Sequence, residues 1–113
     1  MLSISVNKLK DIVNPLDNPP WCEPISEKEI NSCLNPCYIK HNPLVKESKE
    51  KHIERIAFLA KHWNDEPIIL TLYDNVYPIY DGNHRFCAAI YLKKEFIFAQ
   101  VEGNIEKIKQ IEY

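Results

Sequence analysis

The stretch at residues 81–89 reads Asp-Gly-Asn-His-Arg-Phe-Cys-Ala-Ala, and it decides which fold this sequence predicts. An apolar segment at residues 76–80 runs directly into it and predicts a strand. The pattern then becomes helical, so we expect a helix over residues 82–92. Asp81 is a good N-cap residue, and Gly82 permits a tight turn from strand to helix.

The start of that helix has the chemistry of an anion site. The backbone N–H groups of residues 82–84 would lie at the positive end of a helix dipole. Arg85 adds a planar fork of donors suited to phosphate, and His84 can donate, accept or bind metal near neutral pH. In the alternative interpretation Asp81 and Gly82 form an ordinary turn, and His84 and Arg85 merely solvate an exposed helix end.

Further elements follow on both sides of this stretch. Residues 2–6 alternate as a strand does, Ser26 and Glu29 have capping-box spacing, and Pro78 indicates an edge strand or a bulge. The remaining predictions are a short helix near 26–34, a long helix at 46–63, strands at 68–73 and 96–101, turns at 74–75 and 102–104, and a final helix with Ile105, Ile108 and Ile111 on one face. The order predicts one small α/β (α+β) domain over residues 1–113, a mixed sheet with packed helices.

Composition excludes several classes of protein. The 113 residues carry 14 basic and 16 acidic side chains, a net charge of −2, which does not suit a globally basic nucleic-acid binder. The two glycines are too few for a Walker-A or GxGxxG phosphate loop. No apolar run approaches the roughly 20 residues of a membrane span, and no signal peptide is recognised. We therefore expect a cytoplasmic protein with reduced cysteines and no membrane partner.

Six of the eight prolines lie within residues 14–45, which we expect to form an ordered, irregular arm wrapped on the core. Glu23, Glu27 and Glu29 form an acidic cluster in this arm. Any of the three could fold over the site at residues 81–89 and act as a general base, but a solvated face is the favoured interpretation.

Cys33, Cys37 and His41 are spaced four residues apart and have zinc-compatible side chains. Pro36 interrupts their helix, and Cys22 is the nearest candidate for a fourth ligand. Buried thiols are the favoured interpretation.

The remaining histidines and tyrosines have ordinary interpretations. We expect His52 to face solvent, and His62 to lie near the end of the long helix, where the dipole favours its charge. Core packing is the default for the tyrosines of the sheet region, although aromatic rings could also stack on a nucleobase; they are Tyr73, Tyr77, Tyr80 and Tyr91.

The sequence Asp-Gly-Asn-His-Arg at residues 81–85, followed by Ala-Ala, resembles the signature of the ParB/sulfiredoxin superfamily, as found in ParB-like nuclease domains. The resemblance covers residues 46–103 by motif and element order together, and residues 14–45 show no match. It implies a loop that holds nucleotide phosphates, often with Mg²⁺. Gly82, His84 and Arg85 carry over as phosphate contacts.

The sequence departs from this family at several positions. Sulfiredoxins place a catalytic cysteine where Asn83 stands, and Cys87 is on the wrong side of the motif, so reductase activity is disfavoured. Chromosome-partition ParB proteins have an acidic residue at the Asn83 position and an arginine at the His84 position. Their second nucleotide motif and helix-turn-helix domain have no counterpart here, which disfavours a sequence-specific DNA clamp.

These observations predict a domain that binds nucleotide phosphate, with ATP or CTP as the expected ligand, and that performs metal-assisted phosphoryl chemistry as an NTPase or nuclease. The expected catalytic residues are His84, Arg85 and Asp81, the phosphate contacts are Gly82, Asn83, His84 and Arg85, and Asn83 is a weak candidate for Mg²⁺. Alternatives are a non-catalytic module whose nucleotide regulates binding to a protein or DNA partner, and a small-molecule kinase. A stand-alone domain of this size would suit a phage or mobile element.

Overall fold

The structure is a computed structural model, and it describes residues 1–20, 23–34 and 49–113. In this part of the chain four strands and five helices follow one another. They are β1 (Leu2–Ser5), α1 (Val6–Ile12), α2 (Glu27–Ser32), α3 (Lys49–Lys61), β2 (Ile68–Leu72), β3 (Ile79–Asp81), α4 (Asn83–Tyr91), β4 (Phe96–Gly103) and α5 (Ile105–Ile111).

The strands form one mixed sheet in the order β1-β4-β2-β3. β4 is antiparallel to β1 and parallel to β2, while β3 is antiparallel to β2 at the sheet edge. Ala99 of β4 lies opposite both Leu2 and Ile68, and its side chain is fully buried. The prediction of a small mixed α/β domain is therefore confirmed.

Helix α4 is the most deeply buried helix of the described chain. Its five consecutive residues Phe86–Ile90 are all buried, and it packs against α3, α1 and β2. The small side chains Ala88 and Ala89 permit this close approach. Burial of α4 on several sides holds its first turn at a defined place relative to α3 and β2.

The N-terminal segments show how local residues set element ends. Val6, which the alternation assigned to a strand, begins α1 instead, because the Ser5 hydroxyl accepts a hydrogen bond from the Lys8 N–H at 3.2 Å and caps the helix. The predicted capping box of α2 is confirmed, with Ser26 and Glu29 bonded reciprocally. The first residues predicted for the long helix, 46–48, lie outside the described residues; α3 ends at Lys61.

Two predicted boundaries near the sheet edge are wrong. The edge strand covers Ile79–Asp81 rather than residues 76–80, because Pro78 lacks an N–H group and offers only its carbonyl, which accepts from the Thr71 N–H. The turn expected at residues 102–104 begins later, since β4 continues through Gly103. There Gly103 lies against the Leu72 backbone with φ +131°, and Asn104 caps α5.

None of the helices within the described ranges has the length and apolar character that crossing a membrane requires.

Candidate functional site

The turn between β3 and α4 depends on Gly82. Its φ is +101°, and a Cβ at this position would lie 2.8 Å from the Cβ of Ile68 and closer still to Cγ2. Its carbonyl accepts the first hydrogen bond of α4, from the Phe86 N–H at 2.8 Å. The absence of a side chain thus allows the chain to reverse directly against β2.

The predicted N-cap role of Asp81 is wrong. Asp81 is the exposed last residue of β3, opposite Ile69, and the N-cap position falls on Gly82. The left-handed backbone of Gly82 displaces the helix start by one residue, so no side chain caps α4. The first turn of a helix leaves N–H groups without intrahelical acceptors and carries partial positive charge, which favours an anion there.

The first three side chains of α4 diverge, because successive helical residues point about 100° apart. Asn83 accepts a hydrogen bond from the Tyr77 hydroxyl through Oδ1 at 3.1 Å. His84 meets His52 of α3, and Arg85 turns toward Glu66. The three predicted phosphate contacts beyond Gly82 therefore occupy three different sides of the helix start.

The expectation that His52 faces solvent is wrong. His52 is only 3% exposed, and its Nδ1 lies 2.8 Å from Nε2 of His84. The two rings are nearly parallel, with an interplanar angle of 11° and centroids 5.1 Å apart. A buried imidazole can be accommodated when its polar nitrogen has a partner, and the first turn of α4 supplies one. The pair therefore links α3 to the start of α4.

Arg85 forms an ion pair with Glu66, with Nη2 and Oε2 3.1 Å apart. The arginine side chain is 17% exposed and that of Glu66 is 70% exposed. Arg85 Nε is buried, and within the described ranges it has no hydrogen-bond partner. Because the Glu66 carboxylate is largely exposed, water weakens its pairing with Arg85, and an anionic ligand can compete with it for the guanidinium.

A groove of about 410 Å³ lies beside the start of α4. It is lined by Lys51, Glu54, Arg55, Phe58, Leu59 and His84. Five of these residues come from one side of α3, at spacings of three and four residues that place them along a single face. His84 is the contribution of α4, so the helix start and the groove are continuous.

The groove has a charged end and an apolar end. Lys51, Arg55 and His84 are the groups that can carry positive charge, and Lys51 and Arg55 are one helical turn apart. Phe58 is 61% exposed and its ring packs against His62, with centroids 4.8 Å apart. An elongated ligand with an anionic end and a flat apolar end would match this arrangement.

The expectation that the tyrosines of the sheet region pack in the core is wrong for three of the four. Tyr73, Tyr77 and Tyr80 are all exposed: Tyr80 lies on the edge strand β3, Tyr77 shortly before it, and Tyr73 directly after β2. Partial burial, followed by the electrostatic influence of Cys87, raises the pKa of Tyr77. Tyr91 is half-buried, and its hydroxyl donates to Asn31 of α2 at 3.1 Å.

The carboxylate nearest to the motif was missed in the sequence. Glu29 instead pairs with Lys49 at 3.1 Å, and Glu23 and Glu27 are exposed. Glu66 reaches Arg85 because β2 pairs with β3, which brings the residues before β2 close to the end of β3. The apolar run after Pro67 could have indicated this position for Glu66, since it places Glu66 just before a predicted strand.

The described residues give little support for a metal site formed by the protein alone. Within the described ranges, no three His, Cys, Asp or Glu side chains converge as a metal would require. The Asn83 Oδ1 already accepts from Tyr77. Of the possible zinc ligands, Cys33 is half-buried, and Cys22, Cys37 and His41 lie outside the described residues.

Comparison of the chain with protein-family models, curated proteins and solved structures finds no significant match.

Proposed function

We propose that this chain is a cytoplasmic nucleotide-binding domain of the ParB/sulfiredoxin type, whose ligand phosphates lie at the start of α4. The observation that carries the proposal is the groove in which His84 of α4 meets Lys51 and Arg55 of α3. The uncapped helix start at Gly82 adds partial positive charge at the same place. Cationic side chains and a helix N-terminus together favour a phosphate over a neutral ligand.

Each expected contact has a defined part in this proposal. The N–H groups of the first turn would bind phosphate oxygens near Gly82 and Asn83. His84 lies at the groove itself. Arg85 would reach a phosphate by exchanging Glu66 for the ligand, at small cost because the Glu66 carboxylate is largely exposed and returns to water. Asp81 lies beside the turn with its side chain in solvent, where it could contact a ligand but does not cap the helix.

Hydrolysis is the chemistry that this arrangement favours. His84 would take a proton from a water molecule as the water oxygen forms a bond to phosphorus. The bond from phosphorus to the leaving oxygen breaks, and that oxygen takes up a proton. Arg85 and the helix start would stabilise charge on the phosphoryl oxygens. His52 holds His84 through the hydrogen bond of 2.8 Å.

The proposal assigns no step to a metal ion. The described residues offer no set of metal ligands, and the oxygen of Asn83 is already bonded to Tyr77. Mg²⁺ commonly binds through substrate phosphates with few protein ligands, so it would accompany a nucleotide rather than precede it.

Thermal unfolding with ATP, CTP, GTP, ADP and inorganic phosphate, each with and without Mg²⁺, tests the proposal. A ligand at 100 times its dissociation constant stabilises by about 2.7 kcal/mol, which is readily measured. The shift should shrink in Lys51→Gln and Arg55→Gln, each compared with its own ligand-free protein. Lys109→Gln removes an equal charge from α5, outside the groove, and should keep the full shift.

The absence of a shift with any of these ligands would overturn the proposal. Where a ligand binds, release of inorganic phosphate distinguishes an NTPase from a binding module, and acceptor-dependent loss of nucleotide phosphate identifies a kinase. Nicking of DNA with a steep salt dependence identifies a nuclease, because phosphate contacts release counterions.

A further inference from the structure

The far end of the same groove carries features that phosphate binding does not use. Phe58 presents a large aromatic ring to the groove and to solvent, backed by His62. Glu54 lines the groove beside it, one helical turn away and on the same face of α3. An anion would be repelled by the carboxylate at this position. A nucleobase would fit it, because a base has an apolar face for the ring and a polar edge for the carboxylate.

The Glu54 carboxylate is available for a ligand. Its side chain is half-buried, and within residues 1–20, 23–34 and 49–113 it takes part in no hydrogen bond or ion pair. A partly buried carboxylate loses hydration, so it gains from any donor that a ligand supplies. An ionised carboxylate accepts hydrogen bonds and cannot donate them.

The spacing along α3 matches the length of a nucleotide. His52, which bonds His84 at the phosphate end, and Phe58 are six residues apart, or roughly 9 Å along the helix axis at 1.5 Å per residue. A phosphate at His84 would therefore place the attached base on Phe58. Glu54, one helical turn nearer the phosphate on the same face of α3, would lie along the edge of the base. The groove volume of about 410 Å³ falls in the ordinary range for a small-molecule site.

We propose that Phe58 and Glu54 form a nucleobase subsite that selects guanine nucleotides; this inference rests on the proposed binding of phosphate at the start of α4. The base stacks on the Phe58 ring, and Glu54 accepts from the ring N–H and the exocyclic amino group of guanine. Guanine alone among the common bases presents two adjacent donors on its pairing edge. Adenine and cytosine each place an acceptor beside their amino group, which a carboxylate repels.

Titration of the full chain with GTP, ATP, CTP, UTP and inorganic triphosphate tests the subsite. The five ligands share the same phosphate chain, so differences between them report the base. GTP should bind at least about tenfold more tightly than triphosphate, since base stacking on an aromatic side chain is worth roughly 1–3 kcal/mol. GTP should also bind about tenfold more tightly than ATP, because unpaired polar groups penalise the wrong base.

The variants separate stacking from edge recognition. Phe58→Ala should weaken GTP binding about tenfold and leave triphosphate unchanged, while Phe58→Trp restores it. Glu54→Gln should remove the preference for GTP over ATP, because an amide places a donor opposite guanine's donors. Both residues are at least partly exposed, so folding is preserved. Ile105→Ala and Glu106→Gln make matched changes on α5, outside the groove.

Equal affinity for GTP and triphosphate would overturn the subsite and leave the proposed function standing. Tighter binding of ATP, CTP or UTP, or a guanine preference that survives Glu54→Gln, would overturn the assignment of guanine to Glu54. Failure of all five ligands to bind would overturn the proposed function itself, and this inference with it.

Discussion

His52 of α3 and His84 of α4 share a hydrogen bond of 2.8 Å between Nδ1 of the first ring and Nε2 of the second. One nitrogen must donate and the other must accept, so the two bonded nitrogens share a single proton. A bond between two imidazoles also requires that one of these nitrogens be without a proton. The first turn of α4 is therefore held to α3 by a contact that a second proton would break.

Replacement of His52 tests how much this contact contributes to stability. We expect His52→Leu to lower the free energy of unfolding by about 1–3 kcal/mol, because it leaves a partly buried nitrogen of His84 without its partner. His52→Asn should cost less, since its amide can take the place of Nδ1. Urea unfolding at pH 7.5 measures both. His62→Leu, at an exposed position just beyond α3, is the control, and an equal loss there would contradict the prediction.

Gly82→Ala should be strongly destabilising. Alanine at φ +101° is strained, and its Cβ would meet Ile68 of β2. Left-handed backbone costs roughly 1–2 kcal/mol outside glycine, and overpacking adds about 1–3 kcal/mol, so we expect a loss of about 2–5 kcal/mol in denaturant unfolding. A loss below 1 kcal/mol would mean that the turn can relax away from β2.

The two helix starts should respond differently to loss of an oxygen-bearing side chain. Ser26→Ala removes half of the capping box of α2 and should cost about 1 kcal/mol. Asp81→Ala should change stability by no more than about 0.5 kcal/mol, because the N-cap of α4 is Gly82. Chemical unfolding of the two variants side by side decides this, and a larger loss for Asp81→Ala would restore its capping role.

Glu66 should restrain Arg85 from binding anions. We expect Glu66→Gln to tighten binding of inorganic triphosphate by up to about tenfold, since the guanidinium no longer pairs with a carboxylate. Arg85→Ala should weaken that binding. Asp74→Asn breaks another exposed ion pair, with Lys107, and should leave affinity unchanged. Calorimetric titration provides the values, and unchanged affinity in Glu66→Gln would remove Arg85 from the site.

The Lys49 side chain, which bonds Glu29, and the capping bond from Ser26 together hold the pKa of Glu29 below its usual value. A carboxyl group whose pKa is lower in the folded state stabilises the fold at pH values above its pKa in the unfolded chain. This stabilisation is lost as the pH falls through the pKa of the group in the folded state. Glu29→Gln should therefore destabilise the protein at pH 7, and this effect should fade as pH falls below the ordinary pKa of a glutamate. Thermal unfolding of both proteins from pH 3 to 8 checks the sign, and a difference that grows toward low pH would contradict it.

Local patterns were sufficient for most elements of the fold. The capping box of α2, the helical spacing of α3 and the apolar runs of β2 and β4 each depend on residues close together in the chain. Gly82 was also recognised as a turn residue, because a left-handed backbone has a strong preference for glycine. Boundaries failed where a contact distant in sequence decided them, as at Gly103, which lies against the Leu72 backbone.

The site was predictable only along its own segment. The motif residues Gly82, Asn83, His84 and Arg85 follow one another in sequence, but their partners come from other elements. His52 was misjudged because its burial depends on how α3 crosses α4, which the periodicity of α3 alone does not reveal. The groove likewise requires both helices in place.

The central position of β4 determines when the sheet can form during synthesis of the chain. β4 lies between β1 and β2, yet it is the last strand to be made. The Tyr113 N–H also bonds β1, donating to the Ser3 carbonyl at 3.0 Å. During synthesis β1 therefore lacks its sheet partner until residues 96–103 have been made. A nascent chain interrupted before Phe96 would expose two unsatisfied strand edges to chaperones and proteases.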